Sequence, residues 1–74
     1  MTPAATHVPS AREFGNAIKA ARQSQGLTQR ELALAVGSGE RFIVELERGK
    51  PTVRLGKALQ VAAALGLRLT LADG

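Results

Sequence analysis

A spacing pattern between Gln29 and Leu46 restricts this chain more than any other feature it carries. With Gln29 in the first position, Leu32 is fourth, Ala33 fifth, Val36 eighth, Gly37 ninth, Ile43 fifteenth and Leu46 eighteenth. Thr28-Gln29-Arg30-Glu31 is a capping box, in which the Thr hydroxyl and the Glu carboxylate each satisfy a backbone N–H of the first turn. A helix therefore starts directly before the apolar run. Small Ala33 lets a second helix approach closely, and Gly37 takes a turn where positive φ would make a Cβ costly. Val36, Ile43 and Leu46 then hold the two helices at a steep crossing angle. The bland reading is a generic helical hairpin; the functional one is a helix pair that presents its second member to a partner.

The rest of the chain supplies a scaffold for that pair. Residues 1–9 contain Pro3 and Pro9 and no periodic apolar pattern, and read as a flexible arm. Ser10-Ala11-Arg12-Glu13 forms another capping box, after which Phe14, Ala17, Ile18 and Ala21 follow the stripe of an amphipathic helix over 11–25, stopped by Gly26. Ser38 is expected to cap a third helix, with Ile43 and Leu46 inward and Glu40, Arg41, Val44, Glu45 and Arg48 outward. Gly49-Lys50-Pro51 breaks it. Thr52 is expected to cap a fourth helix, in which Leu55, Leu59 and Ala62 form one stripe, widened by Ala58, Val61 and Leu65, with Gly66 as the stop.

Leu67-Arg68-Leu69-Thr70-Leu71 switches to the alternation of a strand, and no other segment reads that way. A lone strand leaves backbone groups unpaired, and even an isolated hairpin is marginal in water. A second copy of the chain across a twofold axis is the economical partner, with Leu67, Leu69 and Leu71 as the dimerisation residues. The bland alternative is a frayed tail with accidental alternation. The expected organisation is an arm over 1–9, a helical domain over 10–66 and a dimerisation strand and tail over 67–74.

Seventy-four residues make one domain. Phe14 and Phe42 are its only aromatics, and a core this small rarely supplies more than ~3–5 kcal/mol, so close helix packing or a partner subunit is required. The absence of Cys excludes disulfides, thiolate metal sites and thiol catalysis. One histidine, His7, gives little basis for metal binding or acid–base work, so no metal, cofactor or catalytic residue is expected. No run approaches the ~18 apolar residues of a membrane helix, and Met1 to Ser10 lacks the apolar core of a signal peptide. A soluble intracellular protein is expected. Ten Lys and Arg against six Asp and Glu give a formal charge of +4, which favours a polyanionic partner such as nucleic acid.

The residues Leu27-Thr28-Gln29-Arg30-Glu31-Leu32-Ala33, Val36-Gly37 and Ile43-Val44-Glu45-Leu46-Glu47-Arg48-Gly49-Lys50 resemble the XRE family of helix-turn-helix regulators, the class of the phage lambda and Cro repressors. A narrower likeness, carried by Arg41 to Thr52 and by Leu65-Gly66-Leu67-Arg68-Leu69-Thr70-Leu71, is to HipB-type antitoxins. These are small homodimeric repressors encoded beside a HipA-like Ser/Thr kinase toxin, and their terminal segment forms an intersubunit β-ribbon. The resemblance implies an all-α, lambda-repressor-like helix-turn-helix bundle of four to five helices, with a C-terminal strand pairing across a homodimer. It further implies a cytoplasmic, nucleoid-associated repressor of double-stranded DNA. Such a protein would act at a palindromic operator, autoregulate its operon, neutralise the kinase and have no membrane role.

In such a motif the second helix enters the major groove and its N-terminal residues meet base edges. Ser38, Gly39, Glu40, Arg41 and Glu45 occupy that position here. Arg41 can donate two bonds to guanine O6 and N7; the alternatives for it are a phosphate clamp or a solvated charge. Glu40 and Glu45 can accept from cytosine N4 or pair with Arg41 or Arg48, and Glu40 also suits the positive end of the helix. Phe42 packs in the core or a dimer contact, or touches a thymine methyl. Gln29, Arg30, Lys50, Thr52 and Arg54 are the candidate phosphate ligands, at or near helix N-termini. Arg12, Lys19 and Arg22 read as solvated charges. A stand-alone phage-like or housekeeping regulator is an alternative function. Another is an interaction module that has lost DNA binding, for which the acidic Glu40 and Glu45 are the support. Ser10 and Ser38 are explained as caps, and no nucleophile–base pair points to an enzyme.

Overall fold

The computed structural model describes residues 6–7 and 10–70. Four helices carry the fold: α1 (Ala11–Ser24), α2 (Gln29–Val36), α3 (Glu40–Glu47) and α4 (Leu55–Ala64). Two-residue strands, β1 (Thr6–His7) and β2 (Leu69–Thr70), lie at either end of the described chain. The architecture is the expected all-α bundle.

Local chemistry explains the first two helices. Ser10 Oγ accepts from the Glu13 N–H at 3.2 Å, which caps α1. At α2 both halves of the capping box form: Thr28 Oγ1 accepts from the Glu31 N–H at 3.0 Å, and Glu31 Oε1 accepts from the Thr28 N–H at 2.8 Å. Gly37 adopts φ 69°, the left-handed conformation that the turn requires.

The next two helix starts differ from expectation. Ser38 does not cap α3; the N-cap is Gly39, with no side-chain cap bond. The reason lies upstream, where the Ser38 N–H donates to the Ala33 carbonyl at 2.9 Å and so closes α2. Its hydroxyl donates to the Gly39 carbonyl at 3.2 Å. Nor does Thr52 cap α4, whose N-cap is Arg54. Val53 is drawn against the core, so the loop runs on and the helix begins two residues beyond it.

The core is built from Phe14 and Ile18 of α1, Leu32 and Ala33 of α2, Ile43 and Leu46 of α3, and Ala58, Val61, Ala62 and Leu65 at α4 and its end. Phe42 is half-buried against this cluster, in line with a core-packing role. Leu55 and Leu59, which share the predicted apolar stripe of α4 with Ala62, are 69% and 44% exposed. Ala58, Val61 and Ala62 face inward instead, and the two alanines let α4 lie close to its neighbours. A helix apolar on most of its circumference does not announce which face is buried.

Gly15 of α1 is buried where α1 crosses α3. A Cβ there would fall on the Leu46 carbonyl oxygen and 2.9 Å from that of Glu47. β2 also differs from expectation, because it has a strand partner within its own chain. β1 runs parallel to it, with Thr6 opposite Leu69 and His7 opposite Thr70. The N-terminal segment carries no alternation that would reveal this, and two residues are too few to carry a period. Leu71 lies outside the described residues.

Candidate nucleic-acid interface

α2 and α3 pack on each other across the Gly37 turn, and α1 packs on α3. This presents α3 on an outer face with Ile43 and Leu46 anchored beneath it. Glu40 and Arg41 open the helix, both exposed, and Ser38 is half-buried in the turn before it. Glu45 is half-buried one turn after Arg41. Lys50, Thr52 and Arg54 are exposed in the loop between α3 and α4. Gln29 and Arg30 begin α2, where the first N–H groups of a helix have no intrahelical acceptor.

Three of these side chains are brought together. Glu45 Oε2 accepts from Arg41 Nε at 3.4 Å and from Lys50 Nζ at 3.2 Å. Lys50, then the Glu45 carboxylate's other neighbour Arg41, hold that carboxyl below its usual range, so it stays ionised well into mild acid. The two cations in turn offset its repulsion of phosphate. Arg41 is nonetheless 89% exposed, and a single long bond leaves it free to reach outward.

A further ion pair is buried beneath the site. Arg22, expected to be solvated, is buried, as is Glu47. Arg22 Nε donates to Glu47 Oε2 at 2.6 Å and its second terminal nitrogen to Oε1 at 3.0 Å, a bidentate fork. The remaining guanidinium nitrogen donates to the Leu27 carbonyl at 2.7 Å. The Glu47 hydrogen bonds push the Arg22 pKa up against the opposing effect of burial. Gln29 Nε2 also donates to Glu47 Oε1, at 3.1 Å. One buried node thus ties the end of α1, the turn into α2 and the end of α3, and it braces the first side chain of α2. A signal existed in the sequence: Arg22 lies four residues after Ile18 and eight after Phe14, on the buried stripe.

Comparison with known proteins bears directly on this geometry. The helix-turn-helix family profile matches residues 18–71, which contain α2, the turn and α3. The chain belongs to the XRE-type helix-turn-helix family. An uncharacterised HTH-type transcriptional regulator of Sinorhizobium fredii (strain NBRC 101917 / NGR234), y4mF, is 42% identical over 67 residues, spanning 90% of this chain and 88% of the relative. A second regulator of that organism, y4dL, is 40% identical over 55 residues, covering 74% of this chain but 28% of its own length. Among solved structures, a HipB–O4 20mer complex superposes with a TM-score of 0.80 at 32% identity, covering 89% of this chain and 93% of that one. The same values hold for a HipA–HipB–O2–O3 complex. The helix-turn-helix chain is therefore a transcriptional regulator that resembles HipB, and its relatives are regulators rather than enzymes. Among the described residues, no helix is long and apolar enough to cross a membrane.

Proposed function

We propose that two copies of this chain bind a palindromic operator in double-stranded DNA and repress transcription, each placing α3 in a major groove. The observation that carries the proposal is Arg41, almost fully exposed in the first turn of a helix whose opposite face is locked into the core. In that position it reads guanine through O6 and N7, with Ser38, Glu40 and Glu45 beside it on the same stretch. Gln29 and Arg30 at the start of α2, and Lys50, Thr52 and Arg54 in the next loop, grip phosphates on either side. The paired helices of a dimer then fall about one DNA turn, ~34 Å, apart. The pairing of Glu45 with Arg41 and Lys50 weakens the case for a module that has lost DNA binding. The acidic group there is already compensated.

Arg41→Ala is expected to weaken binding to the operator by about 1–3 kcal/mol and to relax its preference at one base pair. Lys50→Ala is expected to weaken all duplexes alike. Titrations of both variants against operator and scrambled duplexes check this. Equal losses for the two variants on both duplexes would contradict it.

The second copy docks on the apolar face of α4. Exposed Leu55, Leu59 and Leu69, with Phe14, Pro51 and Val53, line an open groove of about 580 Å³ there. Leu67 packs against the core, and Leu71 follows in the sequence. β1 takes one edge of β2, and the partner's terminal segment takes the other. Leu69→Lys is expected to lower the dimer fraction and the operator affinity together; an unchanged sedimentation profile would sink this part.

The HipB likeness supports a finer role, that of an antitoxin which also binds a HipA-like Ser/Thr kinase encoded beside it, on the face opposite the DNA, in the nucleoid-bearing cytoplasm. It rests on the similarity to HipB, one of whose structures is a HipA–HipB–O2–O3 complex. Co-expression with the product of the neighbouring gene tests it: co-elution and loss of kinase toxicity are expected, and independent elution would leave a stand-alone regulator.

A further inference from the structure

The reading face carries an anion where it has most reason to avoid one. Glu45 spends a single oxygen, Oε2, on both Arg41 and Lys50. Among the described residues Oε1 accepts no hydrogen bond, and the side chain keeps 29% of its surface open. The carboxylate therefore has an acceptor to spare on the face that meets base edges. In the major groove only exocyclic amino groups donate, namely cytosine N4 and adenine N6. Adenine sets its amino group beside the N7 acceptor, which suits an amide that both accepts and donates. Cytosine offers a donor alone, which suits a carboxylate.

The other oxygen has a different consequence. Arg41 and Lys50 are exposed cations on this face, either of which can also meet a phosphate of any sequence, and Glu45 accepts from both. A duplex that cannot satisfy Oε1 must either separate these pairs or leave a carboxylate facing its own charge. Rejection of wrong sequences by an unpaired charge is a strong source of selectivity.

We propose that Glu45 is a specificity-determining residue: Oε1 takes the amino group of a cytosine in each half-site, while Oε2 weakens the hold of Arg41 and Lys50 on the phosphates of duplexes that lack it. This rests on the DNA-binding reading above.

Selection from a pool of randomised duplexes, run with the wild-type, Glu45→Gln and Glu45→Ala chains, tests it. Salt titrations on a duplex lacking the selected motif accompany the selection. The wild-type motif is expected to contain a cytosine at one position per half-site, which both variants cease to prefer while keeping the remaining positions. On the motif-free duplex both variants should bind more tightly, with a log–log salt slope steeper by about 1–2, as each released cation adds roughly 0.9. No motif from the wild-type chain would overturn the DNA-binding reading and this proposal with it. The same motif from all three chains, or an unchanged slope, would overturn the role of Glu45 alone. Loss of all binding or of helical circular dichroism in both variants would also overturn it, since Glu45 would then be a structural residue.

Discussion

Glu47→Ala is expected to leave most of the protein unfolded at room temperature. The substitution strips a buried guanidinium of its bidentate partner and leaves Arg22 with the Leu27 carbonyl as its remaining acceptor. Removing one member of a buried pair costs about 3–5 kcal/mol, because the surviving charge stays desolvated. A core of this size supplies little more than that. Replacing both members is a different matter. Arg22→Met combined with Glu47→Leu exchanges the pair for apolar volume, which is often neutral or stabilising. The double variant should therefore recover its helical circular dichroism and cooperative melting. It should still bind DNA less well than wild type, since Gln29 loses the Glu47 oxygen that braces it. Chemical denaturation of the three chains checks the first part. A Glu47→Ala chain as stable as wild type would contradict it.

Gly15→Ala gives a sharper result, because two physical effects predict opposite signs. By helix propensity alone, alanine in the middle of α1 should stabilise by about 1 kcal/mol. The crossing with α3 dictates the reverse. The new Cβ would meet the backbone carbonyls of Leu46 and Glu47, which no side-chain rotation can move aside. α1 must retreat from α3, opening the contacts of Ile18 and Arg22 behind it. A loss of about 1–3 kcal/mol is expected, the usual cost of overpacking, and Gly15→Val should lose more. A melting temperature above wild type for Gly15→Ala would show that the two helices have slack between them.

These two positions also mark where the sequence is readable. The capping box at Thr28 and Glu31, the left-handed Gly37 and the inward Ile43 and Leu46 are local signals, each decided by groups within a few residues. They were legible and suffice for the helix-turn-helix core. Gly15 and the Arg22–Glu47 pair depend on which helices meet, at a separation of 25 residues in the case of the pair. A charge on a helix is ordinarily solvated, so Arg22 gave no reason to be placed inside except its position on the stripe. Ser38 and Thr52 look like caps in isolation. Ser38 is recruited by the turn that ends α2, and Val53 pulls the chain past Thr52. Leu55 and Leu59 turn outward because α4 offers apolar residues on two faces, and Ala58, Val61 and Ala62 take the inside. Of the site itself, residue types, positions and the Arg41–Glu45 pairing are readable at i,i+4 spacing, but the approach of Lys50 to the same carboxylate is not. It needs the loop after Gly49 to return Lys50 to the side of α3 that carries Glu45.

The α3 face is expected to grip duplex DNA as part of a twofold assembly. Titration of the wild-type chain against its own upstream DNA over a series of salt concentrations checks this. With about three phosphates neutralised per subunit, the binding constant should fall with a log–log slope near roughly −5, and a scrambled duplex should bind far more weakly. A slope near zero, or equal affinity for the two duplexes, would contradict the account.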